Sequence, residues 1–121
     1  LFLMLEMLNA ADPDNPHHAA LMGSLVADIA TVRQMSLGIA GMMARGESAG
    51  LAASLAKELG NTIEQRIPEV AHELFDMDIA ARDTTLAGVA AYLTQTAPTF
   101  SLRGGTREIL RGIIARGLGV R

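Results

Sequence analysis

Apolar residues along the chain recur at spacings of three and four, and that period predicts helices from end to end. Asp12-Pro13-Asp14-Asn15-Pro16 reads as a turn, with Asn15 at the cap and Pro16 in the first turn of a helix near 17–45. Its stripe is Met22, Leu25, Ile29, Val32, Ser36, Ile39 and Met43, and Gly46 ends it. Ser48 is placed to start a second helix near 48–75, striped by Leu51, Leu55, Leu59, Ile63, Ile67, Val70 and Leu74. Pro68 falls inside that stripe; it lacks a backbone donor and crowds the preceding turn, so a kink or break is expected there. Asp83 caps a third helix through Leu86, Val89, Ala90 and Leu93, and Pro98 ends it, leaving 98–105 as a loop. Thr106 opens the last helix, which carries Ile109, Leu110, Ile113, Ile114 and Leu118, with Gly117 and Gly119 as stop signals. No run of alternating apolar and polar residues is long enough for a strand. Such stripes pack naturally as an all-α antiparallel four-helix bundle, a single domain over 1–121.

Composition changes this picture in few places. Half of the 121 residues are hydrophobic, which is enough for a core and rules out disorder. Aromatics are only 3%, so platforms for stacking bases or sugars are not expected, and the seven Met read as core gap-fillers. With no Cys there is no disulfide scaffold, thiolate metal site or Cys nucleophile; a reducing, cytoplasmic setting fits. The opening LFLMLEMLNA is apolar but far short of the roughly 20 residues that span a bilayer, and Glu6 interrupts it. It also lacks the basic start and cleavage site of a signal peptide, so neither membrane insertion nor export is expected. A chain that opens on Leu1, as if a helix were already under way, reads as the C-terminal fragment of a longer protein.

Charge is uneven. Residues 103–121 hold Arg103, Arg107, Arg111, Arg116 and Arg121 against the single acid Glu108, while residues 1–102 hold twelve acids and five bases. The net −3 argues against a nucleic-acid binder. Arg116 and Arg121 suit a helix C-terminus, where cations complement the dipole. Arg103 and Arg107 flank a helix start, where cations are unfavourable, so the local cluster asks for another explanation.

Three stretches are candidates for chemistry. Glu69-Val70-Ala71-His72 has the Glu-x-x-His spacing of di-iron bundles, but no second copy accompanies it, so a surface pair is the expectation. His17-His18 reads as a solvated helix start, and neither Ser54 nor Ser101 sits in a nucleophile elbow. The stretch from Arg103 to Arg111 is different. Gly104-Gly105 lets backbone approach a ligand, Thr106 is placed to cap with its hydroxyl, and the first-turn amides then form an anion site flanked by Arg103 and Arg111.

The run Gly104-Gly105-Thr106-Arg107-Glu108-Ile109-Leu110-Arg111-Gly112-Ile113-Ile114-Ala115-Arg116-Gly117-Leu118-Gly119 resembles the C-terminal signature of the acyl-CoA dehydrogenase family. Ala44 to Gly50, followed by Ala53-Ser54-Leu55-Ala56-Lys57, is similar to a turn and helix of the same domain. The resemblance implies FAD in the full-length assembly, an acyl-CoA thioester as substrate, and homo- or hetero-oligomers formed through the helical bundle. It implies Arg103, Gly104, Gly105, Thr106 and Glu108 as the flavin-side residues, with Thr106 and Glu108 at the family's contacting Thr and Glu or Gln. Departures accompany it: the usual Glu base position is occupied by Gly104, so no catalytic residue is assigned here. The glycine-rich loop that relatives offer to a neighbouring subunit's FAD is replaced by His72-Glu73-Leu74-Phe75-Asp76-Met77-Asp78. Such a chain reads as a base-lacking partner subunit, the competing explanation being an active enzyme whose base lies upstream of Leu1; the rival function is a cofactor-free helical assembly module.

Overall fold

The computed structural model describes residues 1–75 and 85–120. It is built from helices α1 (Phe2–Ala10), α2 (Pro16–Ala44), α3 (Gly50–Phe75), α4 (Thr85–Phe100) and α5 (Arg107–Gly117), with no strand among the described residues. The expected cap at Asp83 lies outside the described residues.

The punctuation of α2 follows the sequence closely. The Asn15 side chain accepts from the His17 amide at 2.9 Å, and Pro16 occupies the first turn, where a missing N–H costs nothing. At the far end Gly46 is left-handed (φ 75°), with its N–H on Met43 O and the Glu47 N–H on Met42 O. Gly119 closes α5 in the same way, with its N–H on Arg116 O and the Val120 N–H on Ala115 O. Both are Schellman endings.

Three expectations at helix ends fail. α3 begins at Gly50, two residues beyond Ser48, and it runs unbroken across Pro68. Pro68 is fully buried, so packing on the ring offsets the lost backbone bond. α4 continues past Pro98 to Phe100, because a proline so close to a helix end removes a single internal donor. Gly117 is the last residue of α5 rather than its stop. A Cβ there would stand 2.8 Å from Leu51 Cδ1, so the glycine permits close approach of α5 to α3.

Cross-helix pairs fix the directions. Asp28 and Ser24 of α2 bond Arg66 of α3, at 2.6 and 3.1 Å, while the earlier His17 faces the later Glu73 at 3.6 Å; the two helices are antiparallel. α4 runs antiparallel along the second half of α3, with Thr94 on His72 and the Ala97 carbonyl on Gln65. α5 takes the first half, with Arg107 and Arg111 on Glu58 and Gly117 on Leu51. The two short helices thus lie one after the other against α3.

The core sits at one end, where Leu3, Met4 and Met7 of α1 meet Met22 and Leu25 of α2, Val70, Ala71 and Leu74 of α3, and Ala90 of α4. Four helices surround this end; α2, α3 and α5 make up the other. The α2 stripe is therefore buried only at Met22 and Leu25, while Leu37 is 58% exposed and Met43 protrudes. On α3 the stripe holds from Ile63 onward but fails earlier, where Ser54, Ala56 and Asn61 are buried and Leu55 is not. The histidines at the start of α2 also do more than meet solvent: His18 Nδ1 accepts from the Asp12 amide, and its ring meets Phe75 edge-on.

Candidate functional site

The turn over residues 101–106 joins α4 to α5 beside the middle of α3. Gly104 and Gly105 adopt φ of 70° and 104°, values that a side chain strongly disfavours. The paired glycines are thus required by the turn itself. Thr106 is the backbone N-cap of α5, but its hydroxyl makes no capping bond, contrary to the sequence expectation. That hydroxyl instead bonds the Glu108 carboxylate, which also accepts from the Glu108 backbone N–H. These two hydrogen bonds, helped by the charges of Arg111 and Arg107, hold the exposed Glu108 carboxyl below its ordinary range. The first turn of α5 is therefore served by an anion of the chain itself. Negative charge at this end of a helix is favourable.

The other sequence-selected residues divide. Arg103 turns back from the turn: its guanidinium carbon lies 5.2 Å from the Phe100 ring centroid, and Nη2 is 3.7 Å from Glu64 Oε2. Gly104 and Gly105 sit between Arg103 and the Thr106–Glu108 pair, as expected. Arg111 does not stand free at an anion site, because its Nε bonds Glu58 Oε1 at 2.9 Å. Arg107 donates from Nε to Glu58, from Nη1 to Gln65 and from Nη2 to Thr62. Arg107, unfavourable at a helix start, thus belongs with Arg111 to a tertiary ion cluster, and Arg103 pairs separately with Glu64.

The sequence reading missed the α3 side of this region. Lys57 Nζ donates to Asn61 Oδ1 at 2.7 Å, and Lys57 Cε lies 3.7 Å from where a Cβ at position 104 would stand. Asn61 is 1% exposed, and its Nδ2 has no partner. The signal was present as two polar residues four apart beside the apolar stripe, a spacing that brings side chains together on a helix.

Elsewhere, Glu69 and His72 share a cleft wall, and no three His, Asp or Glu side chains converge as metal ligands among the described residues. No helix among the described residues is long and apolar enough to cross a membrane.

Residues 13–119, from the turn before α2 to the Schellman ending of α5, match the family described as acyl-CoA dehydrogenase, C-terminal domain. The chain belongs to that family. No curated protein and no solved structure matches it. The acyl-CoA dehydrogenase C-terminal domain match takes in α2 to α5 and the 101–106 turn, and α1 lies ahead of it. At Gly104 this acyl-CoA dehydrogenase domain carries no side chain able to take a proton, and a lysine stem is the nearest neighbour.

Proposed function

We propose that this chain is the flavin-side helical domain of an acyl-CoA dehydrogenase-like assembly, a subunit that helps to hold FAD and supplies no catalytic base at Gly104. The observation that carries this reading is the composition of the turn. Residues 104 and 105 present bare backbone, Lys57 lies beside them, the exposed Arg103 precedes them with its guanidinium resting on Phe100 and Glu64, and Glu108 offers a carboxylate that accepts hydrogen bonds. The ADP half of FAD brings matching partners, phosphates for the cations and ribose hydroxyls for Glu108. When bound, the flavin supplies hydride acceptance. Here Arg103 and Lys57 attract the anion, Thr106 orients Glu108, and the glycines allow approach. A proton cannot be taken at position 104, so the base for acyl-CoA oxidation lies outside this turn, on a different partner chain of a hetero-oligomer or in sequence ahead of residue 1.

The assembly is proposed to form through the helical faces that stay exposed, including Val26, Leu37 and Met43 of α2. A cofactor-free assembly module is the second reading. It is favoured by Glu108, which already fills the place at the α5 start where an anion would bind. Flavin content of the natural assembly separates the two. Arg103→Ala with Thr106→Ala is expected to lower flavin retention several-fold in an assembly that stays intact by size-exclusion chromatography. A colourless natural assembly, or unchanged flavin in the double variant, overturns the first reading.

A further inference from the structure

A cleft of about 480 Å³ opens between α3 and α4, and its two ends differ in chemistry. His72 sets the first end. Its Nε2 lies 2.9 Å from Thr94 Oγ1, and that hydroxyl donates its single proton to the Ala90 carbonyl at 2.8 Å. Thr94 is therefore the acceptor and His72 donates from Nε2, and in that tautomer Nδ1 is an acceptor with no partner among the described residues. Glu69, one turn earlier and also lining the cleft, adds a negative charge that has no ion-pair partner among the described residues. Pro98 in the opposite wall has no N–H, which frees the Thr94 carbonyl from its usual helical donor.

The second end is cationic. Arg107 lines the cleft and uses three N–H groups on Glu58, Gln65 and Thr62, out of the five that a guanidinium carries. Glu58 is shared with Arg111 and Glu108 also lies near both guanidiniums, so what Arg107 keeps for a ligand is its two unused N–H groups. Gln65, which holds Arg107, and His72 are separated by two turns of α3, about 10 Å at ~1.5 Å per residue.

We propose that this cleft is a binding site for a small dipolar molecule, with an anionic or acceptor group at Arg107 and an amine at Glu69 and His72. Its volume suits such a ligand, since small-molecule pockets run from about 300 to 1,000 Å³. The site is independent of the flavin reading, because the amine-binding end lies away from residues 103–106.

The test titrates the purified protein with linear ω-aminocarboxylates of roughly four to eight carbons, a range bracketing the ~10 Å span. Backbone amide NMR shifts of Gln65, His72 and Thr94 report occupancy. Saturable shifts that tighten toward the longer members are expected, with butyrate and butylamine binding about tenfold more weakly, one hydrogen-bonded charge being worth roughly that factor. Glu69→Gln removes a charge from an exposed side chain; it is expected to weaken the longer ligands about tenfold and leave butyrate unchanged. The proposal is overturned if no member gives saturable shifts at these residues, if single-ended probes bind as well, or if Glu69→Gln binds like the parent.

Discussion

Glu58 and Arg107 are joined across the contact of α3 with α5, Oε1 to Nε at 3.1 Å. Glu58 is largely buried, and its second oxygen has no partner, so the carboxylate is held in place by arginines alone. Arg107, which looks misplaced at the start of a helix, thereby joins Arg111 in attaching α5 to the rest of the domain.

Glu58→Ala should therefore destabilise the fold by about 2–3 kcal/mol, because it leaves the partly buried Arg107 without its charged partner. Urea denaturation of parent and variant measures the difference. A change within about 0.5 kcal/mol, the usual range for surface substitutions, would show that the cluster is ornamental.

Gly105→Ala should cost about 1–2 kcal/mol, since φ of 104° forces a Cβ against the following backbone. There is ample space around this position, with Leu110 no nearer than 3.9 Å, so any loss is conformational rather than steric. Thermal unfolding followed by circular dichroism reads it, and an unchanged midpoint would contradict the strained turn.

Glu108 makes stability depend on acidity in a defined direction. Its carboxyl titrates lower in the folded chain than the ordinary value of 4.5, so the folded state favours the ionised form. The contribution is present above the unfolded value and disappears as pH falls through the folded one. Denaturation midpoints measured on both sides of that range should fall less steeply with acid in Glu108→Gln than in the parent. Identical slopes would rule out the bonds to Thr106 and to the α5 amide.

Leu25→Ala should cost about 3 kcal/mol, as expected when a fully buried leucine leaves a cavity among packed neighbours. Leu37→Ser on the same helix should leave the isolated chain within about 0.5 kcal/mol of the parent. The pair is compared by urea denaturation, and equal losses would mean that the outer half of α2 is covered.

What was legible in the sequence follows from the range of each interaction. Asn15, Gly46 and Gly119 act on their own neighbours, and their endings formed as read. Pro98 was misjudged because its effect depends on how many helical donors still follow it. The α3 stripe is legible where one apolar core faces it, at Ile67, Val70 and Leu74. Earlier in that helix, α2 and α5 cover separate sides and bury Ser54 and Asn61, which periodicity cannot anticipate. At the candidate site, Gly104, Gly105 and the Thr106 start were legible as local conformation. Neither the inward partners Lys57 and Glu58 nor the turn of Glu108 onto Thr106 could be read, since each depends on a contact across the fold or on a rotamer.

The serial placement of α4 and α5 along one helix has a consequence for how the domain opens. The apolar core binds α1 to α4, whereas α5 fully buries only Leu110, packs Gly117 on Leu51 and owes the rest of its named attachments to polar links. Lifting α5 breaks those links without disturbing the core, so it forms a separate low-energy unit of partial unfolding. Its amide protons should exchange with solvent well before those near Leu25 and Val70. The turn at 101–106 then acts as the hinge of that release, and any partner bound there strengthens the least stable part of the domain.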